Sequence, residues 1–132
     1  QPLMGDLSYF VKRNLNCRPP QCDYLPREVH QGFSQDPKNP AHLLNHNNSI
    51  AEMHYSDDWY ILASKPKKYI LVWYCGCNDA ACGYGGAVLY TRAPTFDLDA
   101  TETAAIKLAI QAAQIPGLSV EALCTPSNVA CS

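Results

Sequence analysis

Apolar and polar residues alternate along most of this chain in runs of strand length, broken by Pro, Gly, Asn and Asp. Leu3 to Lys12 alternates and is rich in strand formers: Leu3, Leu7, Tyr9, Phe10 and Val11. Asn14 to Gln21 reads as a loop holding Pro19-Pro20, with Cys17 and Cys22 across it. Leu25 to Phe33 is a second strand. Asp36-Pro-Lys-Asn-Pro40 is a turn, because each Pro fixes its own φ and pushes the preceding residue out of the helical region. Leu43-Leu44 is a short apolar run, and Asn45 to Asn48 reads as a turn. Ile50 to Tyr55, Trp59 to Ser64 and Tyr69 to Cys77 follow as strands, with Lys65-Pro-Lys-Lys68 joining the last two. Tyr69-Ile-Leu-Val-Trp-Tyr74 is nearly continuous apolar, as in a strand covered on both faces. Asn78 to Gly83 turns the chain, and Tyr84 to Arg92 returns antiparallel. Gly85-Gly86 inside that strand marks a bend or a place where something packs on bare backbone.

The period changes once. Over Asp99 to Gln114, Ile106, Ala109, Ile110 and Ala113 fall at i, i+3, i+4 and i+7, a helical stripe. Asp99 caps this helix with Glu102 as its capping-box partner, and Pro116-Gly117 stops it. A tail with Cys124 and Cys131 follows. Short strands joined by turns, then one helix, predict a mainly β, antiparallel, lipocalin-like barrel with one C-terminal helix packed outside. The 132 residues fit one domain, 1–132.

Composition narrows the function. A net charge of −2 gives no basic footprint for nucleic acid. No apolar run reaches the ~20 residues of a membrane-spanning helix. Gln1-Pro-Leu-Met4 leads straight into strand-like sequence and does not read as a leader. Seven cysteines suggest an oxidising compartment and disulfides. Cys75, Cys77 and Cys82 also offer three clustered thiols, but no Cys-x-x-Cys pair and no nearby His at ligand spacing supports zinc, so no metal is expected. Cys17–Cys22 and one pair among Cys75, Cys77 and Cys82 are the expected short-range disulfides. Asn47-Asn48-Ser49 is a formal glycosylation sequon.

The candidate chemistry centres on Asp57-Asp58, directly before the apolar Trp59-Tyr60-Ile61-Leu62. An unpaired buried charge is costly, yet apolar walls raise a carboxyl pKa and can make it a general acid. Ser56-Asp57-Asp58 could equally cap a hairpin. Neighbours on a strand point to opposite faces, so if Asp57 enters a pocket, Asp58 faces out. Trp59, Tyr55 and Tyr90 are core aromatics or pocket walls. His30, His42, His46 and His54 are scattered and read as surface groups that titrate near neutrality.

His54-Tyr-Ser-Asp-Asp-Trp-Tyr-Ile-Leu62, Asn78-Asp79 and Gly83-Tyr-Gly-Gly-Ala-Val-Leu-Tyr-Thr-Arg92 resemble the lipocalin domain of the violaxanthin de-epoxidase family, including its de-epoxidase-related members. Phe33-Ser-Gln-Asp-Pro37, Asn45-His46 and Leu3-Met-Gly-Asp-Leu-Ser-Tyr9 add to the match, which runs over nearly the whole chain. The resemblance implies a carotenoid or xanthophyll in the barrel, ascorbate as co-substrate and an acidified thylakoid lumen, with possible membrane association. It makes Asp57 one of a pair of acidic residues, Tyr55 its neighbour and Tyr90 a pocket tyrosine. It also implies a further N-terminal strand carrying the second carboxylate. That strand is expected before residue 1, together with the partner of Cys131. Cys75, Cys77, Ala81 and Cys82 stand where family members often carry arginines and Trp-Asp. Two functions follow from the resemblance. One is a xanthophyll de-epoxidase. The other is a non-catalytic lumenal relative that docks on a photosystem or light-harvesting complex, or holds a pigment; a homodimer is a further candidate assembly.

Overall fold

The computed structural model describes residues 4–9, 29–50, 52–93 and 97–123. Cys17, Cys22, Cys124 and Cys131 lie outside them. Six strands follow one another: β1 (Met4–Tyr9), β2 (Val29–Asp36), β3 (Asn39–Ile50), β4 (Met53–Lys65), β5 (Tyr69–Asn78) and β6 (Cys82–Thr91). Each pairs antiparallel with the next, so the sheet is a simple meander. One helix, α1 (Ala100–Ala113), packs outside it.

The mainly β, antiparallel fold with an outer helix is as expected, but the sheet is not closed. Closure requires the first and last strands to pair. Among the described residues β1 pairs with β2, β6 pairs with β5, and the two outer strands do not meet.

Two further local expectations change. Asn45 to Asn48 makes a bulge inside β3 rather than a turn: the register shifts between Asn45 and Asn48, and Asn47 takes a φ of 57°. Asn tolerates that left-handed conformation better than most residues. Asn48 then replaces a strand pairing with its own side chain. Its Oδ1 accepts from the Gly32 N–H at 3.0 Å and its Nδ2 donates to the Gly32 carbonyl at 2.9 Å. The chain reverses afterwards near Glu52, whose φ is 68°. β4 is consequently one strand through Tyr55 and Trp59 rather than two, and Asp57 lies inside it.

β5 explains the two-sided core. Tyr69 and Leu71 face α1 and pack with Ile106 and Ile110; Leu71 is fully buried and Ile106 is 1% exposed. Val72 faces the other way and packs with Leu43 and Trp59. The helix lies where its sequence places it. Asp99 Oδ1 accepts from the Glu102 N–H at 2.7 Å, and Ile106 and Ile110 form the buried stripe. Glu102 is itself buried and accepts from Lys65 Nζ at 3.3 Å, which ties α1 to the end of β4. Gly85 and Gly86 are bare because aromatic rings lie over them. A Cβ on Gly85 would stand 2.7 Å from the Trp73 ring, and one on Gly86 would meet the Tyr74 phenol.

Leu71→Ala should remove the centre of the helix-facing core. We expect a loss of about 2–5 kcal/mol, read from the urea midpoint, with the strand signal in circular dichroism retained at low urea.

Candidate functional site

Strand alternation divides β4 between two faces. Tyr55, Asp57 and Trp59 are 6%, 7% and 7% exposed on the inner face, while Asp58 and Tyr60 point outward. Register then sets the neighbours of Asp57. Asn45 on β3, Asp57 on β4, Gly76 on β5 and Tyr84 on β6 are successive cross-strand partners, one row across four strands. Asp57 and Tyr84 are therefore two strand spacings apart, ~9.5 Å between backbones. They meet because the position between them has no side chain: the Tyr84 hydroxyl donates to Asp57 Oδ1 above Gly76. A Cβ on Gly76 would collide with that carboxylate oxygen and with the Ser56 carbonyl.

Burial, reinforced by the bond to Asp57 and its charge, pushes the Tyr84 phenol well above the ordinary tyrosine range. Tyr84 is thus a fixed donor to Asp57. The other side of the row is polar too. Asn45 is fully buried and Gln31 is 5% exposed. With the Asn45 amide oxygen turned toward them, it accepts from Trp59 Nε1 at 3.2 Å and Gln31 Nε2 at 2.6 Å. Asp57 thus stands in a buried, hydrogen-bonded row rather than in bare hydrocarbon.

Beyond Trp59 the inner face becomes apolar. A cavity of about 520 Å³ runs from there toward the β4–β5 turn, walled by Phe33, Leu43, Trp59, Ile70, Val72 and Tyr90. The Trp59 and Tyr90 rings stack with centroids 6.3 Å apart. The structure therefore brings Tyr55, Asp57 and Trp59 onto one face and sets Tyr90 against Trp59. Asp57 is not a wall of the cavity; it lies one inward position past Trp59. Sequence reasoning missed Tyr84, Gly76, Asn45 and Gln31. Counting back from the Asn78 to Gly83 turn sets Tyr84 opposite Cys77; the register shift between Gly76 and Cys77 is what moves it opposite Gly76.

The outer face carries a separate charged cluster. His42 Nδ1 lies 3.0 Å from Asp36 Oδ2, and His42 Nε2 lies 2.8 Å from Asp58 Oδ1, which His46 Nε2 also approaches at 3.2 Å. The His42 ring stacks on Tyr60 at 4.6 Å. His42 is 16% exposed, so it is not the plain surface group its sequence position suggested. Burial works to lower its pKa, but the hydrogen bonds and charges of Asp58 and Asp36 outweigh it and the pKa rises. At Asp58 burial opposes His42 and His46, and the net shift is downward; Asp36 is lowered first by the Lys38 backbone N–H and then by His42.

Cys77 and Cys82 form a disulfide across the β5–β6 turn, leaving Cys75 as the free thiol of the three. That bond removes two thiols from any metal ligation. Cys75 sits opposite Asp58, and burial, then the charges of Asp58 and Asp57, raise its pKa.

An antiparallel sheet meander with an outer helix is the arrangement of a lipocalin-type domain. The violaxanthin de-epoxidase lipocalin-domain model matches residues 1–128, and the chain belongs to that family. It is 47% identical over 97 residues to the chloroplastic violaxanthin de-epoxidase of Spinacia oleracea, covering 70% of this chain and 19% of that protein. With the Nicotiana tabacum enzyme it shares 44% over 113 residues, covering 80% and 22%, and with that of Arabidopsis thaliana 46% over 94 residues, covering 68% and 19%. The chain thus spans about a fifth of the length of these relatives.

Two outcomes test this geometry. Gly76→Ala should break the Asp57–Tyr84 bond, seen as loss of a protected tyrosine hydroxyl resonance, while the disulfide-closed turn persists. His42→Ala should destabilise most in mild acid. A raised His pKa contributes stability fully present below its unfolded value, ~6.5, and lost as pH rises through the folded value. The lowered carboxylates contribute above ~3.8 and lose it as pH falls through their folded values. The gap between the urea midpoints of wild type and variant should therefore be wider near pH ~5 than near pH ~8.

Proposed function

We propose that this chain is the xanthophyll-binding domain of a de-epoxidase that works in the acidified thylakoid lumen, with Asp57 as an acid of the reaction. The observation that carries this reading is the buried Asp57 carboxyl, held by Tyr84, one inward position from the Trp59 wall of an apolar cavity. A linear carotenoid would lie along Phe33, Leu43, Val72, Trp59 and Tyr90 with its epoxide ring toward Asp57. A protonated carboxyl gives its proton to the epoxide oxygen as the C–O bond opens. Ascorbate supplies two electrons and is oxidised to dehydroascorbate. The oxygen leaves as water with a second proton, and the carbon–carbon double bond is restored. Tyr84, fixed as a donor, orients the carboxyl so that its other oxygen faces the ring. Tyr55, two positions back on the same face, and Trp59 pack the ring end. A second carboxylate near Asp57, supplied from outside residues 1–132, would share its proton, since like charges disfavour double ionisation.

One observation favours a second reading. Among the residues whose burial the structure describes, the buried carboxyls are Asp57 on the inner face and Glu102 on α1. A protein with a single acid would bind a carotenoid without reducing it, or serve as a lumenal subunit on a photosystem or light-harvesting complex.

Asp57→Asn keeps the shape and removes the titrating proton. De-epoxidation at acidic pH, followed by pigment chromatography, should fall ~10²–10⁴-fold while near-UV circular dichroism is unchanged. Normal turnover in this variant removes the catalytic assignment. Retained pigment binding with no turnover in wild type selects the second reading.

A further inference from the structure

The end of the cavity away from Asp57 has a different chemistry. The β4–β5 turn carries Lys65, Lys67 and Lys68, and β6 delivers Arg92 beside them. These cations have different employment. Lys65 is engaged by Glu102. Lys67 is not a cavity wall, whereas Lys68 and Arg92 both are. The Arg92 backbone N–H donates to the Lys68 carbonyl at 2.9 Å, and its Nε donates to the Pro66 carbonyl at 3.3 Å. This anchors Arg92 at the cavity lining through its backbone and Nε. Neither Lys68 nor Arg92 pairs with a carboxylate among the described residues. Ser64 adds a hydroxyl to the rim, whereas Thr91 spends its proton on the Ala93 carbonyl at 2.8 Å.

We infer that this cavity is also a binding site for a long-chain carboxylate, its anionic head seated between Lys68 and Arg92 and its chain lying along Ile70, Val72 and Tyr90 to Trp59. A neutral polyene gains nothing from two cations at the mouth. A carboxylate gains charge-assisted hydrogen bonds from both, with the fork of Arg92 suited to two oxygens. Trp59 and Ser64 are five residues apart on β4, roughly 16 Å of strand, so the site accepts a long chain and not a short acid. A small anion at the rim would stand at least that far from Asp57, which argues against a seat for a reductant there. An amphiphile in this position occupies the volume a carotenoid would use, so it excludes that ligand. The inference concerns binding and stands apart from the catalytic role of Asp57.

The probe is cis-parinaric acid, whose tetraene accepts excitation energy from tryptophan, compared with its neutral methyl ester. Wild type should bind the acid on the order of tenfold more tightly than the ester, about one charge-assisted contact at an exposed rim. Tryptophan-to-tetraene transfer should fall in Trp59→Phe, with Trp73 on the neighbouring strand supplying the remainder. Lys68→Gln should narrow the gap between acid and ester, the double variant with Arg92→Gln should close it, and both should leave the ester unchanged. The single variant guards against a double variant that fails to fold, which thermal unfolding would reveal. Asp57→Asn should bind both probes as wild type does, so failure of the catalytic reading and failure of this one are told apart. Equal binding of acid and ester to wild type, or binding of neither, would overturn the inference. So would binding confined to phosphatidylglycerol vesicles, with none to the monomeric acid; the basic rim would then be a membrane-docking surface.

Discussion

The inner face depends on an absence, the side chain that Gly76 does not have. Asp57 and Tyr84 belong to strands that do not touch, and any side chain on β5 at that level would stand between them. With glycine there, the phenol reaches over and binds the carboxylate directly. The neighbouring structure protects this arrangement. The Cys77–Cys82 disulfide closes the turn next to it and fixes the β5–β6 register, and Asn45, Gln31 and Trp59 Nε1 continue the polar row on the other side. A buried polar row is favourable only when its members are satisfied, and this one draws its partners from β2, β3, β4 and β6, with glycine on β5 leaving the way clear.

The two faces of the sheet separate two kinds of electrostatics that the doublet Asp57-Asp58 brings together in sequence. Asp57 faces the interior and a phenol. Asp58 faces outward to His42 and His46. The peptide plane between the two residues divides a site from a surface network. The outer network links the β2–β3 turn, through Asp36, to the middle of β4. It therefore binds the hairpin that carries Asn45 and Leu43 to the strand that carries Asp57 and Trp59.

Much of this was legible in the sequence where local rules govern. Asp99 and Glu102 announced the helix start, Ile106 and Ile110 its buried stripe, and the alternation around Asp57 its separation from Asp58. The unread parts depend on long-range register. The Asn45 to Asn48 cluster has turn chemistry, but the side chain of Asn48 finds Gly32 on another strand, and the turn becomes a bulge. Tyr84 is one of eight tyrosines, and nothing local distinguishes it. Its role exists because the hairpin register sets it against Gly76. His42 read as a surface residue because its partners lie 6 and 16 positions away. Closure of the barrel was inferred from strand number and helix placement, and neither of these determines whether the outer strands meet.

The Cys77–Cys82 bond has a dynamic consequence for β6. Among the described residues β6 pairs with β5 alone, and a strand so held opens first at whichever end is less tied. Here the covalent tie lies beside Tyr84, at the start of the strand. The other end, Tyr90 and Thr91, is held by noncovalent contacts alone and borders the cavity. Breathing of β6 is therefore directional. It loosens the cavity wall at the basic rim first, while the Asp57–Tyr84 end stays registered and the carboxyl keeps its partner.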